Sequence, residues 1–379
     1  MPHEGVSSNF KLKLMEAEVM KVKRLILIGS TILLALAFAA PSSVLAAEKV
    51  IEIKAATWHP VPHRLTEDAF KLYGKEIEKR TNGRVKFKWF LGGSLVKASN
   101  SYEGLRTGLV DWVVLGTFTT MNKFPITEGL GLPFVVDSAR HAAAVGWEMY
   151  KTIPEMQEEY SQIKLLGVCS TAIMNLALKK GPPPENLKDL KGLKVAAITG
   201  PSIEMLKLLG AAPRFIKPMD SYVSLQRGVV DGGLWPDAPL RSYRLIEYTK
   251  YYTRAGFIVG PMGYGMNMDK WKQLPPDIQK VFEDLSESAG CLAGTTLTNE
   301  SKWVVDALKK RGDTFYDVTP EEKAKWVKKV EPMYGKWIEK LNAKGWNGQA
   351  IFDKMMAISE RLRNSPCQSS DWWGRSGVK

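Results

Sequence analysis

The chain has 379 residues, more than a single hydrophobic core usually organises, so its length predicts two domains. Hydrophobic residues make up 45% of the chain and charged residues 25%, a balance that excludes a disordered protein. The net charge is +13, which indicates either a solvated basic surface or the steering of anionic ligands. Nucleic-acid binding is disfavoured because no basic run is interleaved with aromatic residues.

The N-terminus has the three parts of a secretory signal peptide. Basic residues precede the apolar run Leu25–Ala40, and small residues follow it up to Ala47. The run is too short to cross ~30 Å of hydrocarbon comfortably. We predict that residues 1–46 are a signal peptide, cleaved after Ala46 or Ala47, with an over-long start and a true first residue at Met20. No other segment resembles a membrane span, so the mature protein is expected to be soluble and periplasmic.

Three cysteines, Cys169, Cys291 and Cys367, lie far apart in the chain. Their odd number and spacing fit neither a disulfide framework nor a C-x-x-C metal motif. We expect buried free thiols, and one disulfide in an oxidising compartment is the alternative.

The first part of the mature chain alternates between strand and helix patterns. In chain order these predict a strand over Val50–Ala56, a helix over Thr66–Thr81, a strand over Val85–Leu91, a helix over Tyr102–Thr107 and a strand over Leu109–Gly116. Strands and helices that alternate at this spacing predict an α/β fold with a largely parallel sheet.

The same pattern begins again further along the chain, which predicts a second α/β lobe and a cleft between the two. The C-terminal third is mostly helical and rich in lysine. The predicted elements of the second unit are strands over Lys164–Thr171, Met174–Lys179, Leu193–Ile198 and Gly232–Leu234, and helices over Ser202–Leu209 and Ser221–Arg227.

Motifs of known catalytic or metal chemistry are missing from the sequence, so neither an enzyme nor a cofactor is predicted. His59 and His63 are four residues apart, but Pro60 and Pro62 prevent the helix that would place both on one face as zinc ligands. The two histidines are interpreted as a loop pair near a ligand or as surface residues. Of the carboxylates, Asp231 and Asp237 are close to the predicted cleft, and strand-end capping explains Asp231 equally well.

Several short motifs, in order over roughly residues 50–340, resemble the solute-binding subunits of tripartite ATP-independent periplasmic (TRAP) transporters. Each motif is weak alone, and their order and spacing carry the resemblance. They are Thr81–Val85, Gly92–Leu95, Gly108–Asp111, Gly131–Phe134, Asp189–Val195 and Tyr222–Gly232.

The resemblance implies a two-lobed periplasmic binding protein fold with crossing hinge strands and a long connecting helix, which closes around one ligand. It also implies delivery of that small-molecule ligand to a small and a large membrane subunit, driven by an ion gradient. By analogy, lobe I comprises residues 48–171 and 261–301. Lobe II comprises residues 172–260 and 302–365 with the C-terminal helices, and 366–379 form a tail.

The sequence departs from this family where the ligand's carboxylate is usually bound. The family places an arginine after Gly-Leu-Lys-Val, and this chain has Ala196 there. A second arginine of many members would lie near Asn175. Relatives that bind oxo acids through a metal use a glutamate where this chain has Leu234, so no metal is predicted. Simple C4-dicarboxylates are therefore expected to bind poorly, because a buried carboxylate without a paired cation is costly.

Aromatic residues occupy the positions expected to line the cleft, which suits a ligand with an apolar or aromatic body. Lys97 is the expected cation if the ligand is an anion. The alternative for the aromatic residues is that they pack in the protein core, and this applies most to Tyr222. The full predicted ligand-binding set is Trp58, His59, Lys97, Gly116, Phe118, Asn175, Ala196, Thr199, Tyr222, Trp235 and Tyr264.

The function predicted from these residues and from the resemblance is capture of an organic acid for a TRAP transporter. Loss of the arginine leaves a neutral or zwitterionic ligand as an alternative. Presentation of the ligand to a sensor receptor is a third hypothesis. An exported enzyme is disfavoured because the sequence shows no nucleophile–base pair.

Overall fold

The computed structural model describes residues 13, 15–23, 50–120, 122–364, 367 and 370–374. Residues 15–23 form an exposed helix within a separate N-terminal unit that ends at Lys49. The apolar run of the predicted signal peptide and its cleavage site lie outside the described residues. Within the described ranges, no helix combines the length and the apolar character needed to cross a bilayer.

The first sheet has five strands in the order β2-β1-β3-β10-β4. β1, β2 and β3 are mutually parallel, and β10 is antiparallel to both of its neighbours. All residues of β3 and β10 are buried, as expected for a sheet with helices on both faces. The strands are β1 at Ile51–Ala56, β2 at Val85–Phe90, β3 at Trp112–Leu115, β4 at Ile163–Ser170 and β10 at Pro261–Asn267.

The second sheet has six strands in the order β11-β9-β5-β8-β6-β7. Here β5 is antiparallel to both β8 and β9, whereas β6, β7 and β8 run parallel. The strands are β5 at Met174–Leu178, β6 at Lys194–Ala197, β7 at Ala212–Phe215, β8 at Gly232–Pro236, β9 at Tyr251–Ile258 and β11 at Thr314–Asp317.

Two short segments carry the chain between the sheets. Residues 171–173 lead from β4 of the first sheet into β5 of the second, and residues 259–260 lead from β9 back into β10. β5 and β10, the two strands that begin after these crossings, are antiparallel to both of their neighbours. The expected parallel sheets are therefore mixed, because each receives one crossing strand. The prediction of an α/β fold with crossing hinge strands is confirmed.

The helices cover the two sheets and supply a third connection between them. They are α1 at Lys71–Arg80, preceded by a π-helical segment at Leu65–Phe70, α2 at Ser101–Arg106, α3 at Ala139–Thr152, α4 at Pro154–Glu159, α5 at Gly200–Leu208, α6 at Ser221–Gln226, α7 at Met268–Gln273, α8 at Pro276–Lys310, α9 at Pro320–Asn342, α10 at Gly348–Leu362 and α11 at Asp371–Gly374.

Helix α8, with 35 residues, is the predicted long connecting helix. Pro276 stands at its first position, where a missing N–H costs no hydrogen bond, and Lys309 and Lys310 complement the dipole at its end. The helix packs closely on α3, since a Cβ on Gly294 would lie 2.7 Å from the Ala139 carbonyl oxygen. It follows α7 of the first-sheet side and leads into β11 of the second sheet.

The prediction that all three cysteines are free thiols is wrong for two of them. Cys291 and Cys367 form a disulfide, with their Cα atoms 5.8 Å apart, and Cys169 is the buried free thiol. Cys291 lies on α8, so the bond fastens the C-terminal segment to the long helix. Trp372 joins the same contact by donating its Nε1 hydrogen to Ser288 Oγ at 3.0 Å. Spacing along the chain could not show this pairing, because the two cysteines are 76 residues apart.

Candidate ligand-binding site

A cavity of about 100 Å³ is lined by residues from both sheets and from α8. Met262 of β10 and Trp235 of β8 represent the two sheets, and Leu297 represents the helix. The described residues that line the cavity include no lysine, arginine, aspartate or glutamate. The lining is mostly apolar.

Trp58 and Phe118 form an aromatic wall on the first-sheet side. Trp58 follows β1, and its Nε1 donates to the backbone oxygen of Val114 at 2.9 Å. Phe118 meets the indole edge to face, with ring centroids 6.0 Å apart. Because the polar atom of Trp58 is already bonded to the backbone, its ring offers apolar surface to the cavity.

His59 and His63 lie beside this wall and stack on each other, with ring centroids 4.4 Å apart and planes at 20°. The Nδ1 atoms of both rings are buried and have no hydrogen-bond partner within the protein. Burial lowers the pKa of His63 to about 4, and burial with the neighbouring His63 lowers the pKa of His59 well below its usual range. Both imidazoles are therefore neutral at neutral pH.

Trp235 supplies the wall from the second sheet and is 3% exposed. Its ring lies over Gly233, where an added Cβ would stand 2.3 Å from Cζ2 of the indole, so the missing side chain makes room for the ring. The Nε1 atom of Trp235 is buried without a partner in the protein. A donor in that state favours a ligand that brings an acceptor.

Sequence reasoning left several lining residues out of the predicted set. His63, Thr171, Ile198, Tyr243, Met262 and Leu297 all line the cavity. Thr171 lies in a crossing segment and Leu297 on α8, so both depend on connections that join distant parts of the chain. The signal available for His63 is its spacing from His59, which excludes a helical zinc pair and leaves a loop pair near a ligand or surface residues as the two interpretations.

Four predicted residues, Trp58, His59, Phe118 and Trp235, line the main cavity. Thr199 lines a smaller one of about 40 Å³ that shares Phe118. Thr199 also caps α5, where its Oγ1 accepts the Ser202 backbone N–H at 3.2 Å.

Two predicted contacts belong to the protein core instead. Tyr264 is fully buried, and its hydroxyl donates to the Ser286 carbonyl oxygen at 3.0 Å. Ala196 is also fully buried, in the cluster that contains Leu225 and Trp235. The alternation of residues along a strand of known position predicts burial, but it does not predict which face meets the cavity.

Asn175 and Asp237 bond to each other near the position where the resemblance implies a second arginine in many members. Asn175 Nδ2 donates to Asp237 Oδ2 at 2.9 Å, and Asn175 Oδ1 accepts the Gly256 backbone N–H at 3.0 Å. Burial raises the pKa of Asp237 to about 6. Asp231 caps a strand end, since its Oδ2 accepts the Lys194 backbone N–H at 2.9 Å.

The remaining predicted residues lie away from the cavity wall. Lys97 is exposed, and the Gly116 backbone N–H donates to Ser101 Oγ at 3.0 Å. Tyr222 packs edge to face on Tyr248, and its hydroxyl donates to a carboxylate oxygen of Glu247 at 2.8 Å. A contact between any of these three residues and a ligand stays a prediction. No group of three or more potential metal ligands occurs among the described residues.

The model of family 7 of the bacterial extracellular solute-binding proteins matches residues 56–341. The chain belongs to this family. A C4-dicarboxylate-binding periplasmic protein from Rhodobacter capsulatus is 26% identical over 277 residues, which cover 70% of this chain and 80% of that protein.

Solved structures of TRAP solute-binding proteins share the fold. The protein from Desulfovibrio salexigens superposes with a TM-score of 0.76 at 26% identity, covering 85% of this chain and 99% of its own. The protein from Rhodoferax ferrireducens, in complex with copurified benzoate, gives a TM-score of 0.76 at 21% identity and covers 84% of this chain and 100% of its own. The resemblance to TRAP solute-binding proteins is confirmed.

Proposed function

We propose that this family member captures an organic acid with an apolar or aromatic body and delivers it to the small and large membrane subunits of a TRAP transporter. The observation that carries the proposal is the cavity wall, where Trp58, Phe118 and Trp235 meet without a lysine, arginine, aspartate or glutamate among the lining residues. Aromatic rings bury large areas and stack, so they favour a ligand with a ring or a bulky apolar body.

The related proteins support this choice of ligand class. The Rhodoferax ferrireducens protein of the same fold was found with benzoate. The Rhodobacter capsulatus relative is named for C4-dicarboxylates, whose small charged bodies suit the cavity of this chain less well. A short dicarboxylate would bury two charges and little apolar area. The free energy needed to desolvate it would therefore exceed the favourable free energy of its contacts with the aromatic wall.

A thermal-shift screen tests this proposal with benzoate, phenylacetate, succinate and malate as probes. A ligand that binds only the folded protein adds about 2.7 kcal/mol of apparent stability at 100 times its dissociation constant. We expect the aromatic acids to raise the melting temperature and the dicarboxylates to leave it unchanged. Stabilisation by succinate alone would refute the apolar ligand.

A neutral or zwitterionic ligand is the second candidate, and the absence of a lysine or arginine from the described lining residues favours it. Benzoate and benzamide have nearly the same shape and differ in charge, so their relative affinities separate the two candidates. Tighter binding of benzamide would favour the neutral ligand.

Export through the signal peptide is part of the proposal, as is closure of lobe I (48–171 and 261–301) on lobe II. N-terminal sequencing of the exported protein should begin at Ala47 or Glu48. Retention of Leu25–Ala40 in the mature chain would contradict periplasmic release. Copurification of the ligand-loaded protein with co-expressed TRAP membrane subunits would test delivery.

A further inference from the structure

Neither of the positions where the resemblance implies an arginine supplies a cation in this protein. Ala196 is fully buried in the core, and Asn175 is bonded to Asp237. A carboxylate enclosed without donors or a cation would cost several kcal/mol. An acid bound in this cavity therefore needs other hydrogen-bond donors.

Three residues that line the cavity each have a side-chain polar atom that the protein itself does not satisfy. The atoms are Nδ1 of His59, Nδ1 of His63 and Nε1 of Trp235, all buried and all without a partner. Most buried polar groups in proteins are hydrogen-bonded, so three exceptions around one cavity indicate a ligand with acceptors. An imidazole can donate whether it is neutral or charged, and a carboxylate accepts through two oxygens.

The stacked geometry lets the two histidines act as one unit. Their ring centroids are 4.4 Å apart, and the Trp58 centroid is 4.2 Å from that of His59. Two positive imidazoles at that distance would repel each other strongly, so the pair favours no more than one positive charge.

The nearest charged groups along the chain pair with one another and do not bond to either Nδ1 atom. Arg64 follows His63 directly and bonds to Asp68 at 2.7 Å. Glu300 of α8 interacts with this ion pair, and burial raises the pKa of Glu300 to about 7. The further titratable and charged neighbours are Tyr243 in the wall and Arg241 beside Glu300.

We propose that the His59–His63 pair holds the carboxylate of the bound acid in place of the family's arginine, and that the pair takes up one proton from solvent on binding. The negative ligand favours the charged imidazole, which burial otherwise disfavours. The proton moves from the buffer to one ring, the carboxylate remains ionised, and the enclosed pair of charges is neutral overall. This inference rests on the proposed function and identifies the group that would pair with the ligand's carboxylate at the same site.

Calorimetric titration of the full mature protein with benzoate tests the proposal. Phosphate and Tris have different enthalpies of ionisation. At a fixed pH, the difference in binding heat between the two buffers is proportional to the number of protons taken up. We expect proton uptake that increases as the pH falls from about 8 to about 6. The affinity should rise over the same range by up to about tenfold per pH unit.

Two variants and one neutral probe complete the experiment. His63→Gln and His59→Gln each keep a polar side chain but remove one of the two imidazoles, so both should bind benzoate at least about tenfold more weakly and with a smaller pH dependence. Benzamide should bind the unmodified protein without proton uptake, which keeps the test valid if a variant fails to fold.

The outcomes separate this inference from the proposed function. Benzoate binding with no proton uptake and the same affinity at about pH 8 and about pH 6 would overturn the histidine anchor and leave the proposed function standing. Failure of the whole panel of aromatic acids to bind at any pH would refute the proposed function, and the anchor with it.

Discussion

The backbone N–H of Gly260 donates to Thr171 Oγ1 at 2.8 Å, and the backbone N–H of Thr171 donates to the Gly260 carbonyl oxygen at 2.9 Å. These reciprocal bonds join the two segments in which the chain crosses between the sheets. The Thr171 hydroxyl also donates to the Ala172 carbonyl oxygen at 3.0 Å. Because Thr171 lines the main cavity as well, the hinge and the binding site share a residue.

Thr171→Val should weaken the hinge while keeping the shape of the side chain. The substitution leaves the Gly260 N–H without its acceptor, which costs about 1–3 kcal/mol for a buried donor. Urea denaturation measures the loss. Thr171→Ser is the matched control, since it retains the hydroxyl, and equal stability of the two variants would show that the bond contributes nothing.

Trp235→Ala should weaken binding of an aromatic acid at least tenfold, on the order of 1.4 kcal/mol or more. Trp235 lines the cavity, so tryptophan fluorescence should also change on binding. Gly233→Ala should act in the same direction, because the new methyl group displaces the ring. Trp303→Ala is the control, since Trp303 is 52% exposed, and an equal loss of affinity there would contradict a specific role of Trp235.

Ala196→Arg should destabilise the protein instead of creating a carboxylate site. Ala196 is packed with Ala177 and Leu225, so the new guanidinium would be buried without a carboxylate, at a cost on the order of 3–5 kcal/mol. Thermal melting and calorimetry with succinate measure both effects. Ala212→Arg on the exposed end of β7 should change little. A gain in succinate affinity at unchanged stability would show that position 196 reaches the ligand.

Acidification should destabilise the protein through the buried histidines. Burial holds the pKa of His63 at about 4, against 6.5 in the unfolded chain, so the unfolded state binds more protons between these values. Stability must therefore fall as the pH decreases through that interval. The stability of His63→Gln, measured by denaturant unfolding at several pH values, should fall less steeply than that of the unmodified protein, and parallel profiles would contradict the assignment.

Breaking the disulfide should cost about 2–4 kcal/mol, because it closes a long loop of the unfolded chain. Cys367→Ser should lower the melting temperature under oxidising conditions, and a reductant should lower that of the unmodified protein by the same amount. The variant itself should not respond to the reductant. A reductant effect that persists in Cys367→Ser would assign it to something other than this bond.

Local patterns predicted β1 to β6 and β8 but not β7, β9, β10 or β11, and they predicted four of the α-helices individually. Trp58 and Trp235 line the cavity, and the sequence indicates this position because each residue follows or ends a recognisable strand. Tyr264 was misplaced because a buried strand gives no sign of which face meets a cavity. The stacking of His63 on His59 and the joining of Cys291 to Cys367 depend on how segments fold back on each other, which neither composition nor spacing records.

The bond between Cys291 and Cys367 also depends on the redox state of the compartment that holds the chain. Both thiols stay reduced in the cytoplasm, where glutathione and thioredoxin keep them so, and the bond can form only in an oxidising compartment. Until then the C-terminal segment is not covalently fastened to the long helix. If the chain is exported as proposed, the C-terminal segment would become covalently joined to the long helix only after translocation.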